Sequence, residues 1–360
     1  MSIRFTPDDW KRIRETYAAW WKGELDRPLV QCQVSGAFDP GREKPCIPLL
    51  SQQTCTDFSY SPEELIDAID WDLSHREFLG DSFPLVNMHT FGPGVAAAFA
   101  GAKLDNSAGS VWFFPEKELP IEEISIRYDP RNKWVRRIKD IYRAGGERWH
   151  GNVLMTMPDL GGIMDIVATF VGSENLLFAL IDSPDEVKRL VREAHTLFFD
   201  AYNDLNEVLR SIGNPGFSDW NCLYSESPSY ILQSDFSYMI GPDMFREFVL
   251  DDIAASCRRL SNAVYHLDGV GQLNHLPHLL SIPELKSVQW VPGDGKPRGR
   301  VWLDVYRQII ESGRTCEIVG ERQDFLDLLT DFPRGLFYKT GFADRDSALR
   351  FLKAAGCPER

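Results

Sequence analysis

The sequence predicts an α/β chain folded as a (β/α)8 TIM barrel with an N-terminal helical extension. Short apolar runs typical of strands alternate with helical patterns along the 360 residues. Roughly eight such runs occur, a number at which a parallel sheet with right-handed crossovers closes into a barrel. The alternative is a doubly wound open sheet. No glycine-rich GxGxxG turn follows the first strand, which weakens the dinucleotide-binding version of that alternative.

The strands are predicted from short apolar runs that end in polar turns. An eighth strand, harder to recognise than the rest, is placed over residues 216–223, where a Gly-Asn-Pro-Gly turn leads into Phe-Ser-Asp-Trp. The other predicted strands cover residues 28–34, 84–89, 153–157, 263–266, 287–291, 315–319 and 336–339.

Helices are predicted from their capping signatures. Ser61-Pro62-Glu63-Glu64 combines a cap residue, a proline at the first helical position and acids in the first turn. Ser183-Pro184 repeats the signature and opens a long amphipathic run to about Leu209. Further helices are predicted from Gly241-Pro242 to Arg259, over 324–329 and over 347–354. Residues 1–26 form the helical extension, and 1–360 form a single barrel domain.

Composition excludes several classes of function. The net charge is −14 with no basic run, which disfavours a nucleic-acid partner. No apolar stretch approaches the ~20 residues of a membrane helix, and the N-terminus lacks a signal-peptide pattern. The seven cysteines are scattered, without a CxxC pair, which is typical of reduced thiols. We therefore expect a cytoplasmic protein with no membrane partner.

Polar residues stand where the predicted strands end, the place where such barrels carry their chemistry. We take three of them as catalytic candidates and the others as substrate-binding or metal-binding candidates. The catalytic candidates are Asp235, His266 and Asp268; the substrate-binding candidates are His89, Asp159, Trp220, Tyr224, Gln233, Gln289 and Trp290; and the metal-binding candidates are His266, Asp268 and Glu321.

His266 and Asp268 carry the most weight. Two positions apart on a strand, they face the same side of the sheet. A histidine and a carboxylate converging there can bind a metal or share a proton in acid–base catalysis. The alternative is a buried histidine oriented by a carboxylate that caps the next helix.

Structural alternatives stand beside the other candidates too. Asp235 and Gln233 suit an Asx-turn or a helix cap as well as a site. Gln289 offers an amide and Trp290 a stacking face, although Trp290 suits plain packing equally. His89 precedes a flexible Gly-Pro-Gly turn, and Asp159 precedes Leu-Gly-Gly, where it suits a helix cap.

Several segments resemble the uroporphyrinogen decarboxylase superfamily, which includes cobalamin-dependent methyltransferases. Residues 240–249, Ile-Gly-Pro-Asp-Met-Phe-Arg-Glu-Phe-Val, resemble the opening of a helix typical of that superfamily. Residues 264–269, Val-Tyr-His-Leu-Asp-Gly, stand where its strand ends in a histidine motif, and residues 26–30, Asp-Arg-Pro-Leu-Val, resemble the start of its first strand. The resemblance spans nearly the whole chain and implies the barrel fold.

Departures from the superfamily pattern narrow the function. True decarboxylases carry an arginine-rich segment after the first strand, whereas residues 30–36 here contain no arginine. The methyltransferases that act on coenzyme M hold zinc through His-x-Cys and a distant cysteine. This chain has Asp268 in place of the first thiol, and none stands at 338–341. A harder site of His266, Asp268 and Glu321 would suit zinc or another divalent metal.

The resemblance therefore implies transfer of a methyl or other one-carbon group on a small substrate, assisted by a metal and by a corrinoid protein partner. Cobalamin would come only through that partner, because no Asp-x-His-x-x-Gly motif occurs. One alternative is a metal-independent decarboxylase or lyase of a small acid, in which Asp235 or Asp268 stabilises a protonated intermediate. Another is a catalytically silent ligand-binding barrel.

Overall fold

The computed structural model describes residues 3–359 and shows an α/β chain with a mostly parallel central sheet. The predicted strand runs near 28–34, 263–266, 287–291, 315–319 and 336–339 are all present. The strands are β1 (Leu29–Val34), β2 (Glu77–Gly80), β3 (Leu85–Val86), β4 (Lys103–Asp105), β5 (Trp112–Phe114), β6 (Leu154–Met155), β7 (Ser229–Gln233), β8 (Asn262–Asp268), β9 (Leu285–Val291), β10 (Thr315–Ile318) and β11 (Leu336–Phe342).

The main sheet has the strand order β2-β1-β11-β10-β9-β8-β7. All neighbours in it are parallel except β2, which runs antiparallel to β1. A separate pair, β3 and β6, is also parallel, and β4 and β5 form an antiparallel hairpin. Because successive parallel strands bring their carboxyl ends to one edge, the side chains that follow β7, β8 and β9 lie close together.

The helices lie between the strands. Their bounds are α1 (Pro7–Trp21), α2 (Pro62–Ser74), α3 (Val95–Phe99), α4 (Lys133–Trp149), α5 (Ile163–Val171), α6 (Ser173–Asp182), α7 (Pro184–Ser211), α8 (Pro242–Phe245), α9 (Asp251–Arg259), α10 (Leu276–Leu280), α11 (Leu303–Glu311), α12 (Arg322–Leu328) and α13 (Arg345–Ala354). Short 3₁₀ turns cover Met88–Phe91, Ile121–Glu123, Asp235–Met239, Val270–His275 and Gly299–Trp302, and a π turn at Arg246–Leu250 joins α8 to α9.

Local sequence explains where the helices start. The Ser61 hydroxyl accepts a hydrogen bond from the backbone N–H of Glu64, and the Glu64 carboxylate accepts one from the backbone N–H of Ser61. The predicted capping box is therefore present at α2. Proline occupies the first turn of α7, although Ser183 makes no side-chain cap bond there. The N-terminal extension is helical as predicted: it contains α1, whose Trp10 indole donates to Asn152 O at 3.2 Å, just before β6.

One strand prediction was wrong in position, and another was too long. Residues 216–223 form no strand; only an isolated bridge joins Phe217 to Ser225. The strand of that region is β7, five residues that are all buried and begin just after Pro228. The strand predicted over 84–89 stops at Val86, because Asn87 caps a 3₁₀ turn by accepting from the backbone N–H of His89.

Across residues 3–359, no single helix has both the length and the apolar composition of a membrane span; α5 and α6 reach them only together, as a pair bent by 101°. All seven cysteines are free thiols, as expected from their spacing.

Candidate active site

Three potential metal ligands converge at the carboxyl edge of the sheet: Asp235, His266 and Asp268, whose ligand atoms all lie within 4.8 Å of one another. His266 and Asp268 alternate on β8 and so face the same side, with His266 Nε2 3.8 Å from Asp268 Oδ2. Asp235 begins the 3₁₀ turn that follows β7, the strand paired with β8. The structure thus brings the three catalytic candidates together.

The orientation of the His266 ring is fixed by Gln289. These residues are register partners on β8 and β9, and His266 Nδ1 is hydrogen-bonded to Gln289 Oε1. The amide nitrogen of Gln289 donates to Glu317 Oε2 at 2.8 Å and to Asn221 Oδ1 at 3.1 Å. Because those two acceptors need the N–H₂ group, the amide oxygen must face His266. Nδ1 therefore carries a proton, and in the neutral ring Nε2 keeps its lone pair on the side of Asp268.

The hydrogen-bonded chain continues to a half-buried lysine. Lys339 Nζ lies 2.9 Å from Glu317 Oε1 and donates to the backbone oxygen of Asn221 at 2.7 Å. Burial acts to lower the pKa of Lys339, but the charge of Glu317 outweighs it and the pKa is raised. Lys339 stays a cation that balances Glu317, so this pair supports Gln289 and leaves no net positive charge for the three ligands.

The ligand cluster is short of positive charge. The pKa of Asp235 is raised above its usual value, because nearby protein limits its hydration and because the carboxylates of Asp268 and Asp159 are close. Asp165 accepts the backbone N–H groups of Asp235 and Phe236 at 2.9 and 2.7 Å. Burial and the charge of Asp235 also raise the pKa of Asp165, to about 7. A bound cation would relieve this repulsion.

A second histidine stands beside the cluster. His89 Nδ1 lies 3.6 Å from Asp159 Oδ2, and the ring of Trp220 lies between the two histidines, 6.1 Å from His89 and 5.1 Å from His266 between ring centroids. Gln52 Oε1 accepts from the backbone N–H of Val111, so its amide nitrogen is the group 3.1 Å from His89 Nε2. His89 Nε2 is therefore an acceptor, and its Nδ1 proton faces Asp159.

A cleft of about 530 Å³ adjoins the cluster, and Asp235 belongs to both. Helix α5 and the β4–β5 hairpin contribute to its walls. The predicted substrate-binding residue Gln233, at the end of β7, lines the cleft with a buried amide oxygen that has no partner among the described residues. The residues that line the cleft include Val111, Trp112, Phe113, Phe114, Asp165, Gln233, Asp235, Phe236 and Met239.

The structure corrects the placement of three predicted site residues. Tyr224 is fully buried against Trp10 and Tyr17 of α1, away from the cluster, because it precedes β7 instead of ending a strand. Trp290 is fully buried with its ring against Trp302, since it alternates with Gln289 along β9 and points to the helical layer. Glu321 is exposed at the start of α12 and is not part of the ligand cluster.

Sequence reasoning missed the supporting residues Asp165, Asn221 and Glu317. Glu317 left the clearest signal, a charge inside the apolar strand Thr-Cys-Glu-Ile, where burial requires a partner. Asp165 left none, because an acid in the first turn of a helix is ordinary.

No protein-family model and no curated protein sequence matches the chain. The structure shares the fold of a methyltransferase from Methanosarcina mazei. The TM-score is 0.60, and the alignment covers 96% of this chain and 98% of that one at 10% sequence identity. This likeness shows the fold alone, and it extends over the carboxyl edge where the ligand cluster lies.

Proposed function

We propose that the chain is a (β/α)8 barrel enzyme of the uroporphyrinogen decarboxylase superfamily that transfers a methyl or one-carbon group on a small substrate with the help of a divalent metal. The fold of a methyltransferase and the ligand cluster at the carboxyl edge support this proposal.

The strand order supports the barrel. Eight strands of the proposed barrel follow one another along the chain, namely β1, β3, β6, β7, β8, β9, β10 and β11; β1 and β7 to β11 are parallel within the main sheet, and β3 and β6 are parallel to each other. Hydrogen bonds join β1 to β11, β3 to β6 and each neighbouring pair from β7 to β11. Two neighbouring pairs in this order, β1–β3 and β6–β7, are not joined by a strand ladder among the described residues. Next to the first, β2 pairs with β1; between the members of the second, Met157 N donates to Ser218 O at 2.8 Å.

The observation that carries the proposal is the convergence of His266, Asp235 and Asp268, with His266 Nδ1 held by Gln289 so that Nε2 is the ring nitrogen on the side of Asp268. One imidazole nitrogen and two carboxylate oxygens suit zinc or another divalent metal, with open positions left for substrate. Gln289 would hold the ring as outer hydrogen-bond partners of metal-bound histidines do. When bound, the metal would act as a Lewis acid on the group that leaves or attacks.

The chain's own residues would bind and orient the substrate. Asp235 joins the ligand cluster to the cleft, so a small substrate in the cleft would reach the cluster at this residue. His89, with its Nδ1 proton held toward Asp159, would donate or accept a proton at the far side of Trp220. A corrinoid protein partner would approach at the open carboxyl edge.

The test is a methyl-transfer assay with methylated donors and a purified corrinoid protein. We expect turnover by the wild type and a loss of about 1,000-fold or more in His266→Ala, since removal of a group that acts at the reacting centre has effects of this size. His278→Ala is the matched control, because His278 packs near Phe245 outside the cluster. Equal activity of His266→Ala and the wild type would refute the assignment.

A second candidate function rests on the closeness of Asp235 and Asp268 beside the cleft. The charge of a neighbouring carboxylate raises the pKa of Asp235, and a carboxyl group that keeps its proton more readily can act as the general acid that decarboxylation of a small acid requires. Release of carbon dioxide without metal or corrinoid, abolished in Asp235→Asn, would favour this function over methyl transfer.

A further inference from the structure

The cleft beside Asp235 has walls of unusual chemistry. One wall is the β4–β5 hairpin, which contributes Trp112, Phe113 and Phe114, and Phe236 and Met239 come from the turn after β7. Trp112 is 61% exposed and Phe114 is 50% exposed. Large apolar side chains gathered around one cleft and left open to water mark a surface that receives a ligand.

The ionisable residues that line the cleft are acidic. Asp165 and Asp235 line it, and no lysine, arginine or histidine does so within the described part of the chain. Asp165 uses its oxygens for two backbone N–H groups and has no cation beside it. An anionic ligand would meet two carboxyl groups without a compensating charge, so the cleft excludes anions.

A residue with an unpartnered acceptor also belongs to the wall of the cleft. Gln233 lines the cleft and is only 7% exposed, and its Oε1 has no hydrogen-bond partner among residues 3–359. Such a buried amide oxygen costs free energy unless a ligand or water donates to it. A hydrogen-bond donor or a positive group on the ligand would satisfy this oxygen. Like the two carboxyl groups, the amide oxygen therefore favours a ligand that carries positive charge.

We propose that the cleft binds a small organic ammonium cation, with the charged nitrogen toward Asp165 and toward the Asp235 oxygen that the ligand cluster does not use, and with the alkyl groups against the rings of β5. Aromatic faces attract such cations because their quadrupole presents negative charge, and alkylated nitrogen gives up its hydration more readily than a bare ammonium. The inference rests on the proposed function only in taking the cleft as the substrate site.

The test is isothermal titration of metal-free protein with choline and with its neutral carbon isostere, in which a tert-butyl group replaces the trimethylammonium group. The two probes have nearly the same shape, so a difference in affinity reports the charge. We expect choline to bind at least about 10-fold more tightly than the isostere. Equal affinity, or tighter binding of the isostere, would overturn the proposal, and so would the absence of choline binding.

Variants separate the contribution of the carboxylate charge from the contribution of the aromatic rings. Asp235→Asn should weaken choline binding about 10-fold and leave the isostere unchanged. Trp112→Ala, at an exposed position where folding is not at risk, should weaken both probes. Asp243→Asn and Phe178→Ala, which change an exposed acid and an exposed ring outside the cleft, are the matched controls. Loss of choline binding in the controls but not in Asp235→Asn would contradict the assignment.

This design keeps the two proposals distinct, because the titration needs neither metal, corrinoid protein nor turnover. Choline binding without any methyl transfer would leave the cation site in place and remove the proposed function. Methyl transfer by a protein that does not distinguish choline from the isostere would do the reverse.

Discussion

Two aromatic regions of the molecule differ in what surrounds them. At the amino edge of the sheet, Trp10, Tyr17, Phe83 and Tyr224 are buried and pack with ring centroids 5.5–5.9 Å apart. On the β4–β5 hairpin the aromatic side chains include Trp112 and Phe114, of which half or more is exposed. The first region stabilises the fold, whereas the second is available to a ligand.

The polar atoms at the amino edge and at the carboxyl edge of the sheet differ in whether they have hydrogen-bond partners. At the amino edge, Trp10 donates to Asn152 O at 3.2 Å and Tyr17 donates to Asp81 O at 3.1 Å. At the carboxyl edge, buried polar atoms of Trp220, Asn221 and Gln233 have no partner in the part of the chain described. Under the proposed function, a substrate bound beside the ligand cluster would supply partners to these atoms.

The largest effect on stability is expected at the amino edge. Phe83→Ala removes a fully buried ring that touches Trp10, Tyr17 and Tyr224, so we expect a loss of about 3–5 kcal/mol in the free energy of unfolding. Urea unfolding measures it. A loss below about 1 kcal/mol would show that this cluster is not the core that the comparison takes it to be.

Ionisation of Asp219 should make stability depend on pH. Burial raises its pKa from 3.8 to about 7, although the N–H groups of Asn221 and Ile231 oppose this. Between these values the unfolded chain has released the proton that the folded protein keeps. Stability from this group is therefore complete below about pH 4 and is lost as pH rises to about 7, by an amount on the order of 2 kcal/mol.

Asp219→Asn cannot ionise, so its stability relative to the wild type should be more favourable at about pH 8 than at about pH 5. Urea unfolding of both proteins at both pH values is the measurement. Asp243→Asn, at an exposed position, is the control. A parallel pH dependence of wild type and Asp219→Asn would contradict the prediction.

Substitutions on the two faces of β9 compare a residue that holds a proposed metal ligand with a residue that packs against the helical layer. Gln289→Met removes the hydrogen bond to His266 and should lower metal affinity about 10- to 100-fold, because the ring loses its fixed tautomer and orientation. Trp290→Phe, on the opposite face, should change stability and leave metal affinity intact. Competition with a chromophoric chelator measures both, and equal losses in the two variants would refute the role of Gln289.

The smallest effect on stability is expected on the hairpin. Trp112→Ala should change the free energy of unfolding by less than about 0.5 kcal/mol, because the ring is 61% exposed. Thermal or urea unfolding measures the change. A loss comparable to that of Phe83→Ala would mean that the hairpin rings belong to the core.

The sequence predicts most strands of the main sheet, and it predicts which side chains share a face wherever apolar and polar residues alternate along a strand. Strand alternation places His266 and Asp268 on one face, and the structure has them there. The same rule, applied to Gln289, excludes Trp290 from that face, so the error at Trp290 was avoidable. The strand predicted over 216–223 lies instead at β7, where three consecutive apolar residues, Tyr-Ile-Leu, carry the strand signal after the turn residues.

Other parts of the site could not be predicted, because they depend on contacts between distant segments. Asp165 holds the turn of Asp235 across 70 residues of sequence, and Lys339 reaches Asn221 across 118. The cleft itself arises where the hairpin meets α5 and the end of β7. No spacing in the sequence relates these segments, and only the folded chain brings them together.

We propose that Asp235, His266 and Asp268 form a divalent metal site next to the cleft. Elemental analysis of the purified wild type, His266→Ala, Asp268→Ala and the control His278→Ala tests this metal site most directly. We expect about one zinc or other divalent transition metal per chain in the wild type and the control, and its loss in both site variants. A wild type that binds no metal even after reconstitution, or site variants that keep the metal in full, would contradict the metal site.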